Sequence, residues 1–288
     1  MLIKAEGGLH LSRGADRIKG YSGQNPFSDS QGRNFSDSKI SKEFCPISKF
    51  WTLFNDQHEV LLGTRGSGKT FLLKMMRYSM LKKIDDPKAQ QLIREKKYLS
   101  LYVPMHLEFI TGLKTANTDE VRQITLFYFL FNCLLAESLI TEINEILVAE
   151  KDLLTGAQIS NTLSQKINKI WFNCSTNDKD IGSLEDLKVK IKNLYYNFDL
   201  VLGNISDIPP LFRRQLCSSL ISTKSIVAKE LGLSEELRWI ICVDEAEFLN
   251  PTLQKCINNV FRSDSNGIAL KVATLPYHHK TLETLDSS

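Results

Sequence analysis

The most specific chemistry in this chain lies in one run: Gly63, Thr64, Arg65, Gly66, Ser67, Gly68, Lys69 and Thr70. It satisfies the phosphate-cradling pattern of glycine, four residues, glycine, lysine, then serine or threonine. Glycines let backbone N–H groups turn inward as an anion nest at a helix start. The lysine of such a loop reaches the β- and γ-phosphates and the hydroxyl ligates Mg²⁺, which are the roles predicted for Lys69 and Thr70. The flanks agree. His58–Leu62 leads in as an apolar strand, and Phe71–Tyr78 leads out as a helix. A nucleoside triphosphate is the expected ligand.

A second constellation lies far downstream. Arg238–Val243 is a buried-strand run ending in two carboxylates, Asp244 and Glu245. A metal–phosphate site needs an acid at the carboxyl end of a strand beside the phosphate loop. Asp244 is predicted to hold Mg²⁺ through its waters, and Glu245 to orient and deprotonate the attacking water. Alone, such a pair is also an ordinary strand end; the loop at Gly63–Thr70 is what gives it meaning. Glu247 reads as a solvated or helix N-terminal charge. The next apolar strand, Ile268–Ala273, ends at Thr274. Its hydroxyl either reaches the γ-phosphate and the lytic water or caps the strand. Arg262 is either an arginine finger acting in trans or a surface arginine. His106 and Glu108 are too few for a metal site, and the adjacent His278 and His279 cannot face one centre.

Hydrophobic spacing supplies the elements that must position these residues. Residues 1–43 are rich in Gly, Ser, Asp and Asn and read as a flexible arm, with at most one short strand near Met1–Ile3 or Gly8–Leu11. A helix is expected through Phe50–Phe54, with Phe44 and Trp51 either in the core or beside a nucleotide base. The helix after the loop is expected to run from Gly68 to about Ile84, stopped by Asp85-Asp86-Pro87. Lys88–Glu95 is a short helix and Tyr98–Val103 the second strand. Helical spacing then covers Asp119–Ala149, Ala157–Phe172, Leu184–Phe198 and Pro210–Leu231. The expected division is an arm (1–43), an α/β core (44–110 and 237–288) and a mostly helical insertion (111–236) without strands.

Composition narrows the class. Of 288 residues, 42% are hydrophobic and 24% charged, as in ordinary globular proteins. A net charge of +3 is too small to point by itself to nucleic acid or a membrane. The six cysteines form no CxxC pair and no metal-ligand spacing, which suits reduced thiols in a cytoplasmic setting. No secretory signal is evident. The apolar stretch Ile124–Leu135 is too short to span a bilayer and reads as a buried helix, so no membrane partner is expected.

Taken together, GTRGSGKT, IICVDEAEFL and KVATLPY resemble the AAA+ class of P-loop ATPases. The nearest branch is the origin-recognition-complex-like ATPases, including bacterial members associated with phage defence, and the signal-transducing STAND group. The resemblance covers about residues 44–110 and 211–280. It implies an α/β P-loop NTPase fold, a parallel sheet flanked by helices in the order 5-1-4-3-2. It also implies ATP and Mg²⁺ as ligands, hydrolysis, and a homo-oligomer with nucleotide between subunits. Three features depart from the family. The segment between the second strand and the acidic strand is long; Thr274 stands where asparagine is common; and little sequence follows that strand to form a fifth strand, an arginine finger or a lid. The fifth strand is therefore expected to be missing, leaving His58–Leu62 as an edge that the arm, a partner chain or self-association could cover; a partner or neighbouring subunit is favoured, and turnover is expected to be weak in isolation. The function expected is an ATPase switch that assembles and signals to an effector protein, as in antiphage defence. The alternative is an initiator-like DNA-remodelling ATPase, against which stand the small net charge and the lack of a recognisable winged-helix module. Leu154–Gln158 mimics the signature of ABC and SMC ATPases but lies too far before the acidic strand. A small-molecule kinase is disfavoured because the Asp-Glu pair suits water as nucleophile.

Overall fold

Alternating apolar residues in the strands build the molecule around a single sheet. A computed structural model describes residues 2–4, 37, 40–41, 44–115, 119–173, 181–196, 205–234, 236–262 and 267–285. In chain order the elements are β1 (Leu2–Lys4), α1 (Ser48–Trp51), β2 (Glu59–Leu62), α2 (Lys69–Met75), α3 (Tyr78–Leu81), α4 (Pro87–Glu95), β3 (Tyr98–Pro104) and α5 (Leu107–Thr115). There follow α6 (Glu120–Glu150), α7 (Leu153–Phe172), α8 (Leu184–Tyr196), α9 (Ser218–Ile221), α10 (Lys224–Leu231), β4 (Arg238–Asp244), α11 (Pro251–Arg262) and β5 (Ile268–Thr274). The strands form one parallel sheet in the order β1-β2-β5-β4-β3. This is the α/β fold of a P-loop NTPase.

Side chains two apart on a strand share a face. Trp239, Ile241 and Val243 therefore join Leu99, Leu101, Val103, Leu270 and Val272 on one side, packed against α6, α7, α8 and α11. Ile240, Cys242, Ala269 and Ala273 face the other side, against Phe50, Leu53, Leu73, Met75 and Met80. Parallel sheets need such cover on both faces. Between β3 and β4 the described residues form helices, turns and irregular segments. These helices share one apolar cluster with the sheet. Among the described cysteines, Cys133, Cys217, Cys242 and Cys256 are buried free thiols. Burial pushes the last three up to about 12.

The edge beside β2 is not left to a partner. Leu2, Ile3 and Lys4 pair in parallel with Val60, Leu61 and Leu62, so the arm supplies a strand where the family order puts the fifth. A parallel partner needs a long crossover, and the residues between Lys4 and Glu59 provide one. The alternative short strand at Gly8–Leu11 and most of the arm lie outside the described residues. At the opposite edge, α6 covers β3, and the Tyr102 N–H donates to Ser138 Oγ at 2.9 Å.

Two expected helices are broken, each by a polar group from α6. The helix after the loop ends at Met75, and Arg77 is extended (φ −63°, ψ 147°) before α3 begins. Buried Glu142 accepts the Ser79 N–H and O–H, both at 2.9 Å, which holds the start of α3. Burial raises the Glu142 carboxyl above its usual range, against the nearby Arg77 and the two Ser79 hydrogen bonds. Pro210–Leu231 likewise splits into turns, α9 and α10. There the fully buried Asn132 amide donates to the carbonyls of Phe212 and Gln215 and accepts from Ser219 N–H at 3.0 Å. α6 itself is 31 residues long, well beyond the apolar stretch read from sequence. By length and composition it could cross a membrane, yet 67% of its most apolar window is buried inside the protein. It is a core helix.

β2 and β5 are tied by a buried ion pair between the first residue of β2 and the middle of β5. Lys271 Nζ donates to Glu59 Oε1 at 2.9 Å, Asn55 Oδ1 at 2.8 Å and the Gln57 carbonyl at 2.6 Å. Its side chain is fully buried and that of Glu59 nearly so. Burial lowers the Lys271 pKa, with Glu59 opposing.

Candidate functional site

Parallel strands deliver their carboxyl ends to one side of the sheet, and the predicted residues meet there. Leu62, immediately before the loop, pairs with Thr274 in the register of β2 and β5. Asp244 ends β4, the next strand over. Gly66 and Gly68 have φ of 79° and 86°, left-handed backbone that glycine alone adopts freely. A Cβ at either position would meet nothing within 4 Å, so the space in front of them is an open cradle that a side chain would fill. Gly63 is buried, Thr64 and Arg65 are exposed, and Ser67 N–H closes the turn onto the Thr64 carbonyl at 3.2 Å.

Lys69 Nζ lies across this loop, donating to the carbonyls of Gly63 at 2.6 Å and Thr64 at 3.0 Å. Burial lowers its pKa, while Glu247 and Asp244 oppose the shift. Glu247, read from sequence as a solvated charge, is half-buried and contributes to the field at the lysine. Thr70 follows in the first turn of α2.

Asp244 is buried at 2% exposure. Its Oδ1 accepts the Glu245 N–H at 3.0 Å and its Oδ2 accepts the Tyr102 O–H at 2.7 Å. Glu245 sits in the left-handed region (φ 59°) and starts the 3₁₀ turn Ala246–Phe248. For a non-glycine residue this is a sparsely populated conformation, of the kind that clusters at functional sites. A Mg²⁺ ion keeps several waters and takes one or two protein oxygens plus substrate phosphates. Asp244 and Thr70 beside an anion cradle fit that donor set. Among the described residues no group of three or more His, Cys, Asp or Glu side chains forms a separate metal site.

Thr274 is fully buried and its hydroxyl has no hydrogen-bond partner among the described residues. By strand alternation it shares the face of Leu270 and Val272, opposite to that of Cys242 and Asp244. An unpaired buried hydroxyl costs about 1–3 kcal/mol, so its removal is not expected to weaken the fold. Thr274→Val is accordingly expected to leave the melting temperature unchanged or raised while lowering phosphate release. A melting temperature several degrees lower would show the hydroxyl to be structural.

Arg262 lies apart from these residues. α11 starts after β4, on the cradle side, and runs back toward the start of β5, so Arg262 sits at the far end of the sheet. There its Nη2 donates to the Leu282 carbonyl at 3.1 Å. Asn258 and Gln254, one and two turns earlier, pin the same C-terminal segment through His278, Thr281 and Glu283.

Sequence reasoning did not single out Tyr102, Lys74 or Arg77. Lys74 Nζ lies 5.7 Å and Arg77 Cζ 5.8 Å from the Tyr102 ring centroid. The available signal was the alternation Tyr98, Ser100, Tyr102 on one strand face, with two cations one and two turns after Lys69.

No curated protein and no solved structure matches the chain. A family model described as ORC-CDC6-like matches residues 25–288. A chain with this sheet and this loop, matched over nearly its whole length, belongs to the ORC-CDC6-like family, AAA+ P-loop ATPases of the initiator type.

Proposed function

We propose that this protein is an ATP-hydrolysing switch that assembles with copies of itself and passes a conformational signal to an effector protein, as in antiphage defence. The observation that carries the hydrolytic part is Lys69 lying across the glycine loop within the field of the buried Asp244 carboxylate. The residues divide the work by position. Loop N–H groups and Lys69 receive the phosphates, the ammonium exchanging its loop carbonyls for phosphate oxygens. Thr70 and Asp244 would hold Mg²⁺, which would supply positive charge against that of the phosphates. Glu245, on its left-handed turn beside Asp244, takes a proton from the attacking water. Thr274 donates to the γ-phosphate from the neighbouring strand. Arg262 remains the candidate for a finger offered to a neighbouring subunit, for which it would have to leave Leu282.

The family match favours a second reading, an initiator-like ATPase that clamps duplex DNA. Two measurements separate the two. Phosphate release per chain should rise with protein concentration if the site is completed between subunits; a rate independent of concentration would refute assembly-dependent turnover. Filter binding to duplex DNA across a salt series should show weak retention for a protein-directed switch. Tight retention that falls steeply with salt would establish the DNA clamp instead.

A further inference from the structure

Tyr102 lies on β3 in register with Cys242, two residues before the Pro104–Asp244 pair. Positions two apart face the same way, so the phenol and the Asp244 carboxylate share one side of the sheet. The phenol O–H donates to Asp244 Oδ2 at 2.7 Å, while Oδ1 is taken by the Glu245 N–H at 3.0 Å. One donor from the neighbouring strand and one from the turn thus fix the carboxylate's rotation and leave lone pairs on both oxygens.

The phenol is itself held firmly. Its backbone N–H is anchored on Ser138 of α6, and Lys74 and Arg77 lie near its ring. Arg77 is in turn fixed by Asp37 Oδ2 at 2.7 Å and by the Lys74 carbonyl at 3.1 Å. Cations near an aromatic face draw on its electron density, which strengthens the O–H as a donor.

We propose that Tyr102 is the positioning residue of the metal-holding carboxylate: its hydroxyl fixes Asp244 in the orientation that accepts hydrated Mg²⁺, and thereby sets the Mg²⁺ concentration at which nucleotide is held. This rests on the ATP–Mg²⁺ reading above and adds the outer donor that such a ligand requires. Partners of this kind orient a metal ligand, and their loss costs about 10–100-fold in metal affinity or activity.

Binding of a fluorescent ATP analogue tests it, in EDTA and across a Mg²⁺ titration, with melting temperatures recorded for each variant. Tyr102→Phe removes one oxygen and keeps the ring. It is expected to bind the analogue in EDTA as the wild type does and to need about 10–100-fold more Mg²⁺ at the midpoint. On an Asp244→Asn background the same substitution should shift the midpoint no further, because the two residues act as one unit. An unchanged midpoint in Tyr102→Phe, or an undiminished shift on the Asp244→Asn background, overturns the proposal. Loss of binding in EDTA together with a lower melting temperature would make Tyr102 a packing residue, and overturns it too. Separately, if wild type and Lys69→Ala bind alike with no response to Mg²⁺, the site reading itself fails and this proposal with it.

Discussion

Lys69→Ala is expected to lower ATP affinity by about 100-fold or more, whereas Glu245→Gln leaves affinity within about twofold and lowers turnover by about 10²–10⁴-fold. The asymmetry follows from where the two side chains act. Lys69 spans the mouth of the loop, and in the proposed role its ammonium meets the phosphates. Hydrogen bonds to charged groups contribute about 1.5–3 kcal/mol each, and two of them give the affinity change. Glu245 lies past the strand end, and in the proposed role it acts on the water rather than the nucleotide, so an amide there would remove the base and spare the binding. Calorimetric titration with ATP–Mg²⁺, paired with phosphate release, measures both. Equal loss of affinity in the two variants would take Glu245 out of the role of base.

The largest expected loss of stability comes from the other end of the sheet. Lys271→Met removes the only cation facing Glu59 within hydrogen-bonding distance among the described residues, and leaves a carboxylate at 4% exposure with the Asn55 amide beside it. Breaking one side of a buried pair costs about 3–5 kcal/mol, which for a chain of this size is a fall of roughly 6–20 °C in melting temperature. The double variant Lys271→Met, Glu59→Leu is expected to recover most of that, since replacing both charges removes the desolvation cost on each side. Thermal unfolding followed by circular dichroism decides it. A double variant no more stable than the single one would mean that the polar network is needed for its shape rather than its charge.

What could be read from sequence was local. The glycines of Gly63–Thr70 specify their own backbone, and the apolar runs of β2, β4 and β5 declare buried parallel strands without reference to anything distant. The helix break at Arg77 depends on Glu142, and the turn before α9 on Asn132. Both are buried polar residues of α6, and no propensity at the break points announces them. β1 was harder still. Three residues carry almost no pattern, and their pairing with Val60–Leu62 exists only once the arm has returned to the sheet. The Tyr102–Asp244 hydrogen bond needs the register of two strands separated by the whole helical segment. Arg262 sat within a visible stripe with Gln254 and Asn258 at four-residue spacing, but its acceptor is a carbonyl, to which side-chain chemistry gives no clue.

β5 is the last of the described strands in sequence and the middle one in space. During synthesis, β2 therefore leaves the ribosome long before its central neighbour exists. At elongation rates of about 5–20 residues per second, the wait is on the order of tens of seconds. Over that interval β2 can pair only with β1, and the phosphate loop is not yet joined to the β3–β4 pair. The nascent chain is thus a natural client for a chaperone, and nucleotide becomes able to stabilise the molecule only after Ile268–Thr274 has emerged.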